Sequence, residues 1–179
     1  MKKKSFVMAL ALVLVFAVAV GGVVAWLTAK TDSVVNTFTI GDINIALTES
    51  KNLNLKMVPG NEIAKDPKVT VKADSEACYL FVKVEKSANF DTFMTYTMAE
   101  GWTQLPNVAG VFYREVPATD ADTSFDVLAG NTVTVRGNVT KAQLNNAETE
   151  GKLPTLTFTA YAVQQDNIAD VAAAWAKLG

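Results

Sequence analysis

The 179-residue chain carries 16 Lys/Arg against 18 Asp/Glu, a formal net charge of −2, with one cysteine and no histidine. Without histidine there is no Ser-His-Asp or Cys-His site, no His-ligated zinc and no HExxH helix, so acid–base chemistry would rest on carboxylates, Lys or Tyr. A lone cysteine allows no disulfide within the chain, so stability has to come from burial.

The chain opens with Lys2-Lys3-Lys4, followed by an apolar run from Phe6 to Val24 that no charge interrupts. As a helix that run reaches roughly 28 Å at 1.5 Å per residue, enough for most hydrocarbon cores. The lysines put everything after Val24 outside the cytoplasm. Gly21-Gly22 breaks the helix, and Val23 and Ala25 stand at −3 and −1 of a cut before Trp26. No Lys/Arg stop-transfer cluster follows. This is the layout of a secretory signal peptide over residues 1–25, with a retained anchor as the alternative. Residues 26–179 are then one exported domain that meets the membrane only before cleavage. Three of the 16 basic residues leave with the leader, so 13 face 18 acidic ones, a net of −5. That balance argues against nucleic acid or an anionic bilayer as partner.

Val34–Ile40 is β-branched or aromatic at most positions and reads as a strand, with Val34, Asn36, Phe38 and Ile40 on one face. After the Gly41-Asp42 turn, Ile43, Ile45 and Leu47 alternate with polar or small residues, as in a half-buried strand. Pro59-Gly60 marks a turn, and Asp66-Pro67 opens an extended piece, Lys68–Lys72. Ala77–Lys86 is the strongest strand pattern. Asn89–Trp102 fits a short helix or a loop. Val111–Val116 is a strand, Ala118–Ser124 an acidic loop, and Phe125–Leu128, Ala129–Asn131 and Thr132–Val139 read as strand, turn, strand. Lys141–Glu150 is a short polar helix or loop. Leu153–Gln165 is a long strand, and Ile168–Leu178 fits an amphipathic helix with Ile168, Val171, Ala172 and Trp175 inward. Many short strands with brief helices predict an all-β fold, a β-sandwich.

Few residues suggest chemistry. Cys78 alternates in phase with Leu80, Val82 and Val84, the pattern of a buried thiol. Asp120, Asp122 and Asp126 resemble the start of a calcium loop but lack its Gly and closing Glu, so a solvated acidic loop is expected. Trp102, Phe112 and Tyr113 could line a sugar platform; because Phe112 and Tyr113 are adjacent on a strand, one is expected in the core and the other outside. No cofactor or metal site is expected.

Three stretches resemble a known family. The junction Gly21-Gly22-Val23-Val24-Ala25-Trp26-Leu27-Thr28-Ala29-Lys30-Thr31-Asp32, running into Val35-Asn36-Thr37-Phe38-Thr39-Ile40-Gly41-Asp42, resembles that of the TasA/camelysin proteins of Gram-positive bacteria, substrates of the SipW-type signal peptidase. Met57–Thr70, with Pro59-Gly60, Lys65-Asp66-Pro67 and Val69-Thr70, is similar to the same family, as is the end from Phe158 to Trp175. The resemblance implies a jelly-roll-like sandwich and a secreted subunit of biofilm matrix fibres. Its partners would be copies of itself or related fibre subunits, with residues 26–41 as a donor strand for the neighbouring subunit; the alternative for Val34–Ile40 is an ordinary first strand of its own domain. A monomeric cell-surface binding or accessory module is the alternative. Some members carry a metalloprotease label, which a chain without histidine does not support.

Overall fold

The computed structural model describes residues 42–50 and 56–178. The expected leader, the cleavage residues Val23, Ala25 and Trp26, and the strand with Val34, Asn36, Phe38 and Ile40 lie outside them. Among the described residues no helix is long and apolar enough to cross a membrane.

The described chain is mostly β-strand in antiparallel sheets, with three short helices. In one sheet β1 (Ile45–Thr48), β3 (Lys68–Val71) and β8 (Thr123–Asp126) lie in the order β1-β3-β8. A second contains β2 (Glu62–Ala64), β9 (Thr132–Val135) and β5 (Met94–Thr95), in the order β2-β9-β5. The largest has the order β10-β4-β7-β6, from β4 (Cys78–Lys86), β6 (Thr103–Gln104), β7 (Val111–Val116) and β10 (Leu156–Gln164). Every pair is antiparallel. The helices are α1 (Phe90–Phe93), α2 (Lys141–Thr149) and α3 (Val171–Trp175).

β4 is the centre of the molecule. It pairs along its whole length with β10, Leu156 opposite Lys86 and Gln164 opposite Cys78, and with β7 on its other side. Cys78, Leu80, Val82 and Val84 point to one face, against Val69, Val71, Trp102, Val116 and Val127. Phe81 points the other way and is fully buried under α3, beside Leu105, Val111 and Ala174. Burying a side chain of that size contributes about 2–3 kcal/mol. The near-continuous apolar run Cys78–Val82 is therefore the signature of a strand covered on both faces. The β2-β9-β5 sheet closes a further cluster with Phe90, Phe93 and Leu144, which also touches Leu156 and Phe158 of β10. Those two side chains touch the first cluster too, so both three-stranded sheets pack on one face of the large sheet.

The structure redraws several expected details. Neither Phe112 nor Tyr113 is exposed: Phe112 packs on the inner cluster and Tyr113 on the cluster under α3, because that helix covers the far face. The strand expected at Phe125–Leu128 starts earlier, at Thr123, and the one after it stops at Val135 rather than Val139. Arg136 to Thr140 leave the sheet through a turn, and Val139 is buried as the anchor of α2. The two strands do not pair with each other. The 3-10 turn Ala129–Asn131, with Gly130 at φ +63° and Asn131 at φ +53°, carries the chain from one three-stranded sheet to the other. The last helix is shorter than expected, Val171–Trp175, capped by Asp170 Oδ1 accepting from the Ala173 amide at 2.8 Å; Ala172 faces solvent and Ala174 is the buried alanine.

Candidate docking groove

The sequence-predicted polar and aromatic sites do not converge. Asp122 accepts from Lys72 Nζ at 2.8 Å and from the Ala73 amide at 3.0 Å, and these bonds hold its carboxyl below the ordinary range. Asp126 pairs with Lys68 at 3.3 Å, and Asp120 is exposed on the connecting loop. Among the described residues no group of three or more His, Cys, Asp or Glu gathers where it could hold a metal ion. Trp102 cannot serve as a sugar platform. It is 9% exposed, its indole N–H donates to the Asp126 carbonyl at 2.8 Å, and the Arg114 guanidinium lies 5.3 Å from its ring and 3.8 Å from that of Phe125. Burial lowers the Arg114 pKa, because lost water disfavours the cation. Cys78 is fully buried, and loss of water pushes its thiol up to about 11, far from any reactive range.

What the fold does assemble is a groove. Among the described residues Leu47, Val58 and Leu153 are the exposed large hydrophobics, at 38%, 40% and 43%. They come from three separate parts of the chain and line neighbouring hollows. Leu47 faces Leu156 and Phe158 across the first, of about 300 Å³. Leu156 is shared with the second, of about 350 Å³, whose walls are Met57, Ile63, Phe90, Met94, Val133 and Leu153. Met57 and Leu153 are shared with the third, of about 440 Å³, which Val58 and Leu144 complete. All three have the size of small ligand pockets; the second and third are mostly apolar, and the first is about half polar.

Each wall is held in place. Pro59 and Gly60 form a tight turn in which the Asn61 amide donates to the Val58 carbonyl at 3.0 Å and Gly60 takes φ +81°, presenting Met57 and Val58. The end of β1 is clamped by Asp66, which accepts from the Ser50 amide at 3.0 Å and from its hydroxyl at 2.5 Å. The hydroxyl first, then the amide, holds the Asp66 carboxyl below its usual range. The clamp sets Glu49 beside Lys65, 2.7 Å apart, with the ammonium 5.4 Å from the centre of the Phe158 ring. The opposite wall, 152–155, is tied down by Asn89 Nδ2 donating to the Lys152 carbonyl at 2.6 Å and by the Thr155 amide donating to Ser87 Oγ at 2.9 Å.

The groove runs beside β10, an outer strand of the large sheet among the described residues. Among the described strands β10 is hydrogen-bonded to β4 alone and β1 to β3 alone, and β1 passes alongside β10 without sharing a ladder. The chain enters the described domain at the other end of the molecule. The Asp42 carbonyl accepts from the Glu76 amide, just before β4 begins, whereas the groove lies beside Leu156, opposite Lys86 where β4 ends. The nine residues of β4 put roughly 30 Å between those ends at about 3.3 Å per residue. Sequence reading named no residue of this groove as a site, because Leu47, Val58 and Leu153 each look like an ordinary apolar position on their own. No family model, no curated protein and no solved structure matches the chain.

Proposed function

We propose that this protein is a secreted, non-enzymatic structural subunit that assembles head to tail outside the cell, residues 26–41 of one copy adding as a strand in the groove of the next. The observation that carries the reading is the placement of the groove at the end remote from Asp42. Phe38 lies four residues before Asp42 in the chain, a reach of at most about 14 Å. That is well short of the roughly 30 Å to the hollow beside Leu156 estimated from the length of β4. Phe38 therefore falls short of the Leu153 end of the groove in its own copy, whereas Leu47, five residues after Asp42, lies within about 18 Å of it. A contact between two different surfaces that does not close on itself propagates as a filament.

The resemblance to TasA/camelysin proteins leads to the same place, with a jelly-roll-like connection of the sheets, release by a SipW-type peptidase cutting between Ala25 and Trp26, and biofilm matrix fibres as the product. Tethered by an uncut leader, the segment is unavailable to a neighbour, so cleavage starts assembly. The competing reading, a monomeric surface-binding module, loses its aromatic platform to the burial of Trp102.

The test is electron microscopy of protein beginning at Trp26 beside protein beginning at Asp42. Filaments from the first and monomers from the second are expected; monomers from both would remove self-assembly and leave the accessory module.

A further inference from the structure

Phe112, expected from sequence on a sugar platform with Trp102 and Tyr113, lines a hollow with a different ring, that of Tyr96. The hollow measures about 450 Å³ and shares no residue with the groove. Its apolar surface comes from Tyr96, Phe112 and Met98, and its polar surface from Lys86, Asp91, Thr95 and Thr97. We propose that it is a carbohydrate site for one neutral pyranose unit, the C–H face of the sugar against the aromatic side chains and its hydroxyls on the polar groups. The hollow lies on the β7 side of the large sheet and the groove on the β10 side, with β4 between. A strand in the groove and a sugar in the hollow therefore do not exclude each other, and the proposal does not depend on assembly.

The walls are fixed by the fold. Phe112 stands on β7 opposite Val82, and Lys86 is the last residue of β4. The run after β5 is pinned in three places: the Ala129 amide donates to the Thr97 carbonyl at 2.9 Å, Met98 bridges to Leu128, and the Ala99 amide donates to the Val127 carbonyl at 3.0 Å. The Tyr96 ring leans edge-on against Phe90, with centroids 5.9 Å apart. Both rings are thus in position before a ligand arrives, which lowers the ordering cost of binding.

The leftover hydrogen-bonding groups define the ligand. Asp91 accepts from Lys86 Nζ at 2.6 Å through Oδ2, leaving Oδ1 and two ammonium protons for other partners. The side-chain hydroxyls of Thr95, Tyr96 and Thr97 make no hydrogen bond among the described residues. Burial raises the Tyr96 pKa, with Lys86 lowering it and Asp91 raising it, so the hydroxyl keeps its proton within reach of both charges. Donors and acceptors together match vicinal hydroxyls, each of which can donate and accept. The electron-rich ring faces suit the weakly positive C–H groups of a pyranose. The charges of Lys86 and Asp91 cancel, so an anion meets the carboxylate and a cation the ammonium. Neutrality is what the site selects.

Saturation-transfer difference NMR on protein beginning at Trp26 tests this, in monomers and filaments alike. The probes are methyl glucoside, methyl galactoside and methyl N-acetylglucosaminide, with acetate and glycine as charged comparisons. At least one glycoside should bind saturably, with a Kd of about 1–10 mM. Its ring C–H protons should take up more saturation than its O-methyl group. Asp91→Ala and Tyr96→Phe should each weaken binding about five- to tenfold, whereas Asp120→Ala, at an exposed carboxylate elsewhere, should leave it unchanged. The Asp91 side chain is 64% exposed and Tyr96→Phe keeps the ring on Phe90, so both variants fold. No saturable transfer to any glycoside, undiminished binding in both variants, or preference for acetate or glycine overturns the proposal.

Discussion

A methyl group added at Gly110 would stand 2.7 Å from the Val84 carbonyl oxygen, on a backbone held at φ +74°. The same glycine, in the turn before β7, accepts from the Val84 amide at 2.7 Å, so neither the turn nor β4 can move aside without losing the bond. Gly110→Ala should destabilise the domain by about 2–4 kcal/mol. Gly60→Ala, strained at φ +81° but with nothing within 4 Å, should cost only about 1 kcal/mol. Urea unfolding of the two variants measures the difference. Cys78 gives a pH effect with a defined sign. Burial raises its pKa from 9.0 to about 11, so the folded state keeps a proton that the unfolded state gives up. Its contribution is whole below pH 9 and is lost as the pH climbs through about 11, amounting to roughly 2–3 kcal/mol. Stability measured across that window should fall more steeply in the native protein than in Cys78→Ala. The inward phase of Cys78 was readable from its neighbours, because alternation is a local property. That Tyr113 is also covered was not, since its cover arrives from α3, more than fifty residues later.

The strands that the sequence marked most strongly, β4 and β10, are the two longest in the structure, each of nine residues. β10 alternates along its length and β4 is apolar over Cys78–Val82, and the two pair along their whole length. Short elements were less legible. The stop of β9 at Val135 depends on Arg136 donating its amide to the Phe93 carbonyl, a partner set by the three-dimensional fold. α2 was ambiguous because its face is polar, with only Leu144 and Ala147 buried. Its start is fixed locally. Thr140 Oγ1 accepts from the Gln143 amide at 3.2 Å, and Gln143 Oε1 accepts from the Thr140 amide at 2.8 Å. Thr140→Ala should cost about 1 kcal/mol and Gln143→Ala less, read as a shift in the urea midpoint. If Thr140→Ala changes nothing, packing of Leu144 and Val139 alone determines the helix.

At the scale of the molecule, the groove was illegible in the sequence because its walls are separated by about a hundred residues, and nothing local brings Val58 beside Leu153. Only the accepting surface is new information; the β-patterned segment ahead of Asp42 could be read directly. Leu153→Asp tests the surface without touching the core. At 43% exposure it should change unfolding free energy by no more than about 0.5 kcal/mol. It should nonetheless stop filament growth. Mixed with native protein it should shorten filaments well below equal ratio, since a copy with an intact N-terminal segment can join an end and then present a dead groove. Long filaments at an equal ratio would show that Leu153 takes no part.

The placement of Asp42 and Leu153 at opposite ends of the β4–β10 pair has a mechanical consequence. A pull applied between those two points runs parallel to the strands, while the hydrogen bonds that join them lie across it. The ladder is then loaded in shear, all rungs together, instead of being peeled open one rung at a time. A domain with both attachment points at the same end of that ladder would unzip under a much smaller force.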